Sequence, residues 1–370
     1  MPSSRFPRRA GLLATGLSLA LALAACGGGS SDEAADPNAP FKGKTLKVAA
    51  YAGSWGESLT KAFVEPFEEN TGATVELVPG DPASWLTGLR SAQGGTPPYD
   101  VVAFTPNVIP NAVDAGVVQA LDTAKVENFG ELNEVLVEQS NIGGQQYGVP
   151  LSVGSTGIAY RTDKVKTAPK DWSDLLDPAT CGHAGLNPLT FNMGVEYLAG
   201  LIRENGGDIQ NQADVDAAFA ELAAAKDCFS AFPADAPSVE SGLQNGDTWI
   251  SAHWDGRAFV MQNNGDPVDY AYPASGSVGA LTSFFVAENT EEQDLAYEFL
   301  NYLASSEYQP TFSEGTWYAT SNDSNEYPAK FEEQIKHGKG AYDDFQWIDY
   351  QALSPKLADL QAQWQKTFGS

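Results

Sequence analysis

Apolar positions change their spacing several times along the chain, and each change marks an element. A short apolar run, residues 11–25, follows Arg5, Arg8 and Arg9. It is short for a bilayer crossing, which takes roughly 20 apolar residues. A basic head, an apolar middle and small final residues predict a secretory signal over residues 1–25. Residues 26–43, rich in Gly, Ser, Asp, Ala and Pro, predict a flexible tether. Residues 45–51 then read as a strand. Ser54 and Glu57 have the spacing of a capping box. Leu59, Ala62, Phe63 and Phe67 continue at helical spacing, with Pro66 expected to kink or shorten that helix. Strands over 74–78 and 99–104, with a short helix over 85–91 between them, extend the alternation. Alternating strand and helix predict an α/β fold whose parallel or mixed sheet is covered by helices.

Further along, Tyr147-Gly-Val-Pro150 and residues 152–160 read as a first crossing from one lobe to another. A short helix near Trp172 and a strand over 184–189 follow. Val195, Leu198, Ala199 and Ile202 form one helical face, and Val215, Ala218, Phe219 and Leu222 another. Residues 248–254 read as a strand ending at Asp255-Gly256, residues 268–272 as a further strand, and 279–286 as a return to the first lobe. Leu295, Phe299, Leu300 and Leu303 predict a core-facing helix, Gly315 to Tyr318 a loop, and Leu357, Leu360, Trp364 and Phe368 a closing helix. Two or three crossings are expected. They divide the chain into a first lobe of residues 44–151 and 281–322 and a second of 152–280 and 323–370.

Chain length agrees with two lobes. Removing the signal leaves 345 residues, long for a single core. The mature part carries 18 basic against 48 acidic residues, a formal charge of −30. Such a surface is repelled by nucleic acid and by anionic lipid, so neither is expected as a partner. Cys26 follows Leu23-Ala24-Ala25 and precedes Gly27-Gly28-Gly29. This resembles a bacterial lipobox, which implies lipidation of Cys26 and anchoring on the outer face of the cell membrane, at the cell surface or in the periplasm, with no other membrane contact. Arg8-Arg9 leaves export by a twin-arginine route open. Cys181 and Cys228 remain, either as one disulfide or as two buried thiols.

Catalytic chemistry finds little support. His183, His253 and His337 each stand apart from any nucleophile motif, and zinc spacings and Gly-rich phosphate loops are lacking. No catalytic residue, metal or cofactor is expected. Binding is better supported. Trp55, Trp254 and Trp317 fall beside strand ends or Gly-containing loops, where indole rings stack on flat or cationic solutes as readily as they pack a core. Ser54 stands at a helix start, suited to capping or to holding an anionic group. Gly53 to Trp55 and Thr105 to Asn107 both follow strands, where α/β sheets bind ligands.

Ala50-Tyr-Ala-Gly-Ser-Trp-Gly-Glu57, Pro66-Phe-Glu-Glu-Asn-Thr-Gly72, Tyr99-Asp-Val-Val102, Tyr147-Gly-Val-Pro150 and His253-Trp-Asp-Gly-Arg-Ala-Phe259 occur in the order found in bacterial extracellular solute-binding proteins. The chain most resembles their spermidine/putrescine-binding branch. The resemblance implies a type II periplasmic-binding-protein-like fold, in which each lobe is a mixed sheet flanked by helices and a hinge joins the two. It implies a monomer that closes on one small organic solute and docks on an ABC permease driven by a cytosolic ATPase. It places Ser54 and Trp55 in a first ligand loop, Thr105 in a second, Trp317 near a third, and Trp254 against the solute's aliphatic chain. Asn192 and Thr282 are expected to supply hydrogen bonds, and Glu196 or Asp255 a negative charge. Ala280 and Thr282 stand where polyamine receptors carry a tryptophan and an amine-binding aspartate. A thiamine-like or amino-acid-like solute therefore stays open beside a polyamine, and a secreted enzyme on the same two-lobed scaffold is the alternative of another class.

Overall fold

The computed structural model describes residues 39–369; the signal, Cys26 and most of the tether lie outside the described residues. One mixed sheet runs through the molecule. Its main path joins eight strands: β2 (Thr74–Pro79), β1 (Thr45–Ala50), β3 (Val101–Phe104), β11 (Val278–Val286), β6 (Gly148–Arg161), β9 (Ile250–Trp254), β7 (Ala184–Gly185) and β8 (Phe229–Ala231). β10 (Val268–Ala271) and β12 (Ala319–Thr320) also pair with β6, while β4 (Asn141–Ile142) and β5 (Gln145–Gln146) form a separate hairpin. β1, β2 and β3 run parallel, β11 and β6 run antiparallel to their neighbours, and β7 lies parallel to both β8 and β9. β3 and β6 are buried along their whole length. That explains why β3 reads as a continuous apolar run and not as alternation, while β6 buries Ser152, Ser155 and Thr156 among its apolar residues.

Two hydrophobic cores pack on this sheet. The first gathers residues of β1 and β3, the helices over 53–71, the helix Gln293–Ala304, and Phe284, Phe285 and Phe312. The second gathers Ile158, Trp172, the helices Asn192–Glu204 and Gln212–Ala224, and Leu360 and Trp364 of the closing helix Leu357–Phe368. Leu136 aside, which packs in the second core from between Leu132 and Val149 of the first, three segments among the described residues pass from one core to the other, between Leu151 and Val153, between Leu281 and Phe284, and between Phe312 and Ala319. They meet side by side: Ser152 is opposite Thr282 on one strand and Thr320 on another. The ladder is irregular at Thr282/Ser283, where Leu151 is the extra residue. A bulge bends a strand locally, and here it falls at the seam between the cores.

Local structure departs from expectation at four places. The helix over 53–71 continues through Pro66. A wide π turn, Thr60–Val64, precedes the proline and relieves its clash with the preceding turn. The capping box does not form, because Ala52 is the cap residue and makes no side-chain cap bond, which leaves Ser54 inside the first turn. The expected strand over 184–189 shrinks to Ala184–Gly185; Asn187 bonds to the Pro233 carbonyl and Pro188 ends the pairing. Gly315 and Thr316 belong to a helix, Gln309–Thr316, not to a loop. Cys181 and Cys228 form a disulfide closing a span of 47 residues. In the chain-entropy model a closure of that length is worth about 4 kcal/mol.

Candidate ligand-binding cleft

Strand ends and helix starts converge at the seam on a cleft of about 560 Å³. The first core supplies Tyr51, Ser54 and Trp55, the turn Thr105 to Asn107, and Asp81. β1 ends at Ala50, and the chain re-enters helix through Gly53, whose φ of +68° a side chain would strain. That turn sets Trp55 edge-on to Tyr51 and Phe312, at 5.0 and 5.1 Å between ring centres. Thr105 donates to Asn107 Oδ1 at 2.6 Å. Thr282, on the seam, lines the cleft with Tyr51, and burial pushes the Tyr51 phenol above its ordinary range.

On the opposite wall the centre is Glu196. It lies on a helix buried from Met193 to Ile202, so its carboxylate is carried into the protein with the apolar face. Thr156 Oγ1 donates to Oε2 at 2.5 Å, Trp254 Nε1 to Oε2 at 3.3 Å, and Asn192 Nδ2 to Oε1 at 3.0 Å. All three donors are neutral. Burial outweighs them and pushes the Glu196 pKa up to about 7. Trp254 also packs edge-on to Phe191. Beside this group, Arg257 donates to Glu240 Oε1 at 2.8 Å, and His253 Nε2 lies 3.7 Å from the same oxygen. His253 is fully buried, which lowers its pKa.

Of the residues expected at a site, Ser54, Trp55, Thr105, Asn192, Glu196, Trp254 and Thr282 all line the cleft. Asp255 and Trp317 do not. The strand β9 ends at Trp254, and Asp255 starts the helix Asp255–Asn263 with its carboxylate turned inward to Ser155 Oγ and the Gly256 amide. Burial raises its pKa to about 7 as well. The ring of Tyr318 lies over Gly154 and Gly256, where a Cβ would come within 2.6 Å of it, and this ring faces the cleft in place of Asp255. Trp317 ends its helix in the left-handed region, φ 58°, and stacks on Phe331 in the second core. The left-handed turn sends neighbouring side chains apart, so Tyr318 takes the place expected of Trp317.

Sequence reasoning missed Tyr51, Asp81, Arg257, Tyr318 and Tyr350 as cleft residues. Tyr318 directly follows Trp317 in the chain. Arg257 lies in the same His253-to-Phe259 stretch, but its place depends on a helix beginning at Asp255. Among the described residues no group of three or more His, Cys, Asp or Glu is placed to hold a metal ion.

The model of the bacterial extracellular solute-binding protein family matches residues 62–354, most of the chain. The chain belongs to that family. A putrescine/agmatine-binding protein of Pseudomonas aeruginosa is 28% identical over 292 residues, 73% of this chain and 77% of the relative. The spermidine/putrescine-binding periplasmic protein of Escherichia coli is 25% identical over 279 residues, 74% and 77% of the two chains. The solved structure of a spermidine/putrescine ABC transporter substrate-binding protein from Streptococcus pneumoniae shares the fold. Its TM-score is 0.72 at 20% identity, covering 88% of this chain and 99% of that one. Family and fold are thus those of the solute-binding component of an ABC transporter and not of an enzyme. Among the described residues no helix is long and apolar enough to cross a membrane.

Proposed function

We propose that this receptor captures a small organic amine, a di- or polyamine foremost, by closing two lobes on it, and that it is held at the membrane by a lipid on Cys26. The lobes are residues 44–151 and 281–322 in one and 152–280 and 323–370 in the other, with Leu136, Leu281 and Ala319 of the first packed in the second core. A solute touching both walls favours the closed population, because its contacts are complete only there. The closed monomer is then read by a membrane permease with its cytosolic ATPase.

The observation that carries the amine reading is Glu196. A carboxylate of which only 4% of the residue is exposed, bonded to three neutral donors and no cation, is a poor resting place for a negative charge. An ammonium entering the cleft supplies the missing charge. Trp254 and Trp55 offer ring faces to the ammonium and to the methylenes next to it. Asp81, on the other wall, carries a second carboxylate whose pKa Ser84 and the amides of Ala83 and Ser84 hold low. Two carboxylates on facing walls suit an amine charged at both ends. Arg257, the one cation among the described cleft-lining residues, favours an amino-acid-like solute as the second reading, since its donors beyond Nη1 can meet an acid.

A thermal-shift panel of putrescine, spermidine, agmatine and amino acids tests the reading. A true solute raises Tm progressively with concentration, by about 2.7 kcal/mol of stabilisation at a hundred times Kd. Identification of the solute released from denatured protein by mass spectrometry gives the independent check. A panel in which amines move nothing and the released solute lacks an amine ends the proposal.

A further inference from the structure

Tyr350 opens the short helix Tyr350–Leu353 and lines the cleft. Its ring belongs to the second core, and the residue is 7% exposed. The helix it opens lies against Ile109–Asp114, whose apolar residues belong to the first core, so Tyr350 stands where the two walls meet. Its hydroxyl is buried and no protein atom hydrogen-bonds it. An unpaired buried hydroxyl is destabilising, and phenylalanine would fill the same space without that penalty. Glu196 acts electrostatically on this phenol, and burial with that field keeps it protonated. Glu196 has three of its roughly four acceptor directions taken, by Thr156, Asn192 and Trp254. One direction on the carboxylate and the phenol oxygen are therefore two unfilled acceptors, both on residues that line the cleft.

We propose that Tyr350 is a specificity-determining residue whose hydroxyl accepts a second N–H from an ammonium that gives its first to Glu196. A primary ammonium satisfies both acceptors. A trimethylated ammonium has no N–H and leaves both unpaired, so the cleft selects primary amines. The inference rests on the amine reading of the same cleft. The test is calorimetric binding of putrescine and of its derivative trimethylated at both nitrogens to the wild-type protein and to Tyr350→Phe, with Tm of each ligand-free protein. In the variant, putrescine affinity falls about tenfold, as for one hydrogen bond to a charged group. The trimethyl derivative changes by less than about twofold, and the ligand-free Tm holds or rises. A merely structural role lowers Tm and weakens both ligands alike, which overturns the proposal. A wild type that binds putrescine beside a variant that binds it equally well overturns this inference alone. A wild type that binds neither ligand overturns the amine reading, and this inference with it.

Discussion

Lowering the pH from 8 to 6 acts on the cleft through Glu196. Its pKa, ordinarily 4.5, is raised to about 7 by burial, against the donors Thr156, Trp254 and Asn192. An ammonium needs the ionised form. Putrescine keeps its charges over this range, since aliphatic amines titrate near 10.4. With the group about 10% ionised at pH 6, half at pH 7 and 90% at pH 8, apparent affinity falls about tenfold from pH 8 to pH 6. Stability of the ligand-free protein runs the other way. The folded pKa lies above the unfolded one, so the folded protein binds more protons. The contribution is whole below pH 4.5 and is lost as pH rises through 7, on the order of 3 kcal/mol for this group. Asp255, with its pKa also raised to about 7, adds a slope of the same sign without touching the solute. Titration calorimetry of putrescine at pH 6, 7 and 8 in buffers of different ionisation heat reads both affinity and proton release, about half a proton at pH 7. Glu196→Gln binds more weakly, with a flat profile, while Asp255 preserves part of the stability slope. Wild-type affinity that stays constant from pH 6 to 8 refutes the reasoning.

Trp254→Ala removes both a ring face and a donor to Glu196, and is expected to weaken amine binding by about 2–4 kcal/mol, as for a buried aromatic anchor; equal affinity by calorimetry takes the residue out of the site. Cys26→Ser is expected to move the protein from the membrane fraction to the soluble fraction, and an intact mass showing wild-type Cys26 unmodified removes the lipid anchor.

What the sequence made legible follows from how local each feature is. Strands β1 and β3 and the closing helix Leu357–Phe368 answer to spacing alone, because their apolar positions repeat on one face or run unbroken. Trp55 and Trp254 were legible for the same reason, as large rings beside strand ends. The choice between Trp317 and Tyr318 was not. A left-handed residue at position 317 decides which ring turns to the cleft, and left-handed tryptophan has no sequence signature. Tyr350 lay further out of reach. It follows an irregular stretch with no period, and its place depends on a contact with a helix some 240 residues earlier.

Glu196 and Asp255 carry the same lesson into energetics. Both are acids in apolar stretches, both are nearly sealed from water, and both are pushed to about 7. Read along the chain they are equivalent candidates, and burial does not separate them. They differ in what can neutralise them. Asp255 lies behind Gly154 and the Tyr318 ring, so a proton is its available counter-charge, whereas Glu196 borders a cleft large enough for an organic cation. At neutral pH the first acid can only take up or lose a proton, at a cost to the fold. The second can exchange its proton for a solute. That exchange converts an unfavourable burial into affinity, and it requires that the carboxylate have no permanent cationic partner. Among the described residues that line the cleft the one guanidinium, Arg257, is bound to Glu240 instead.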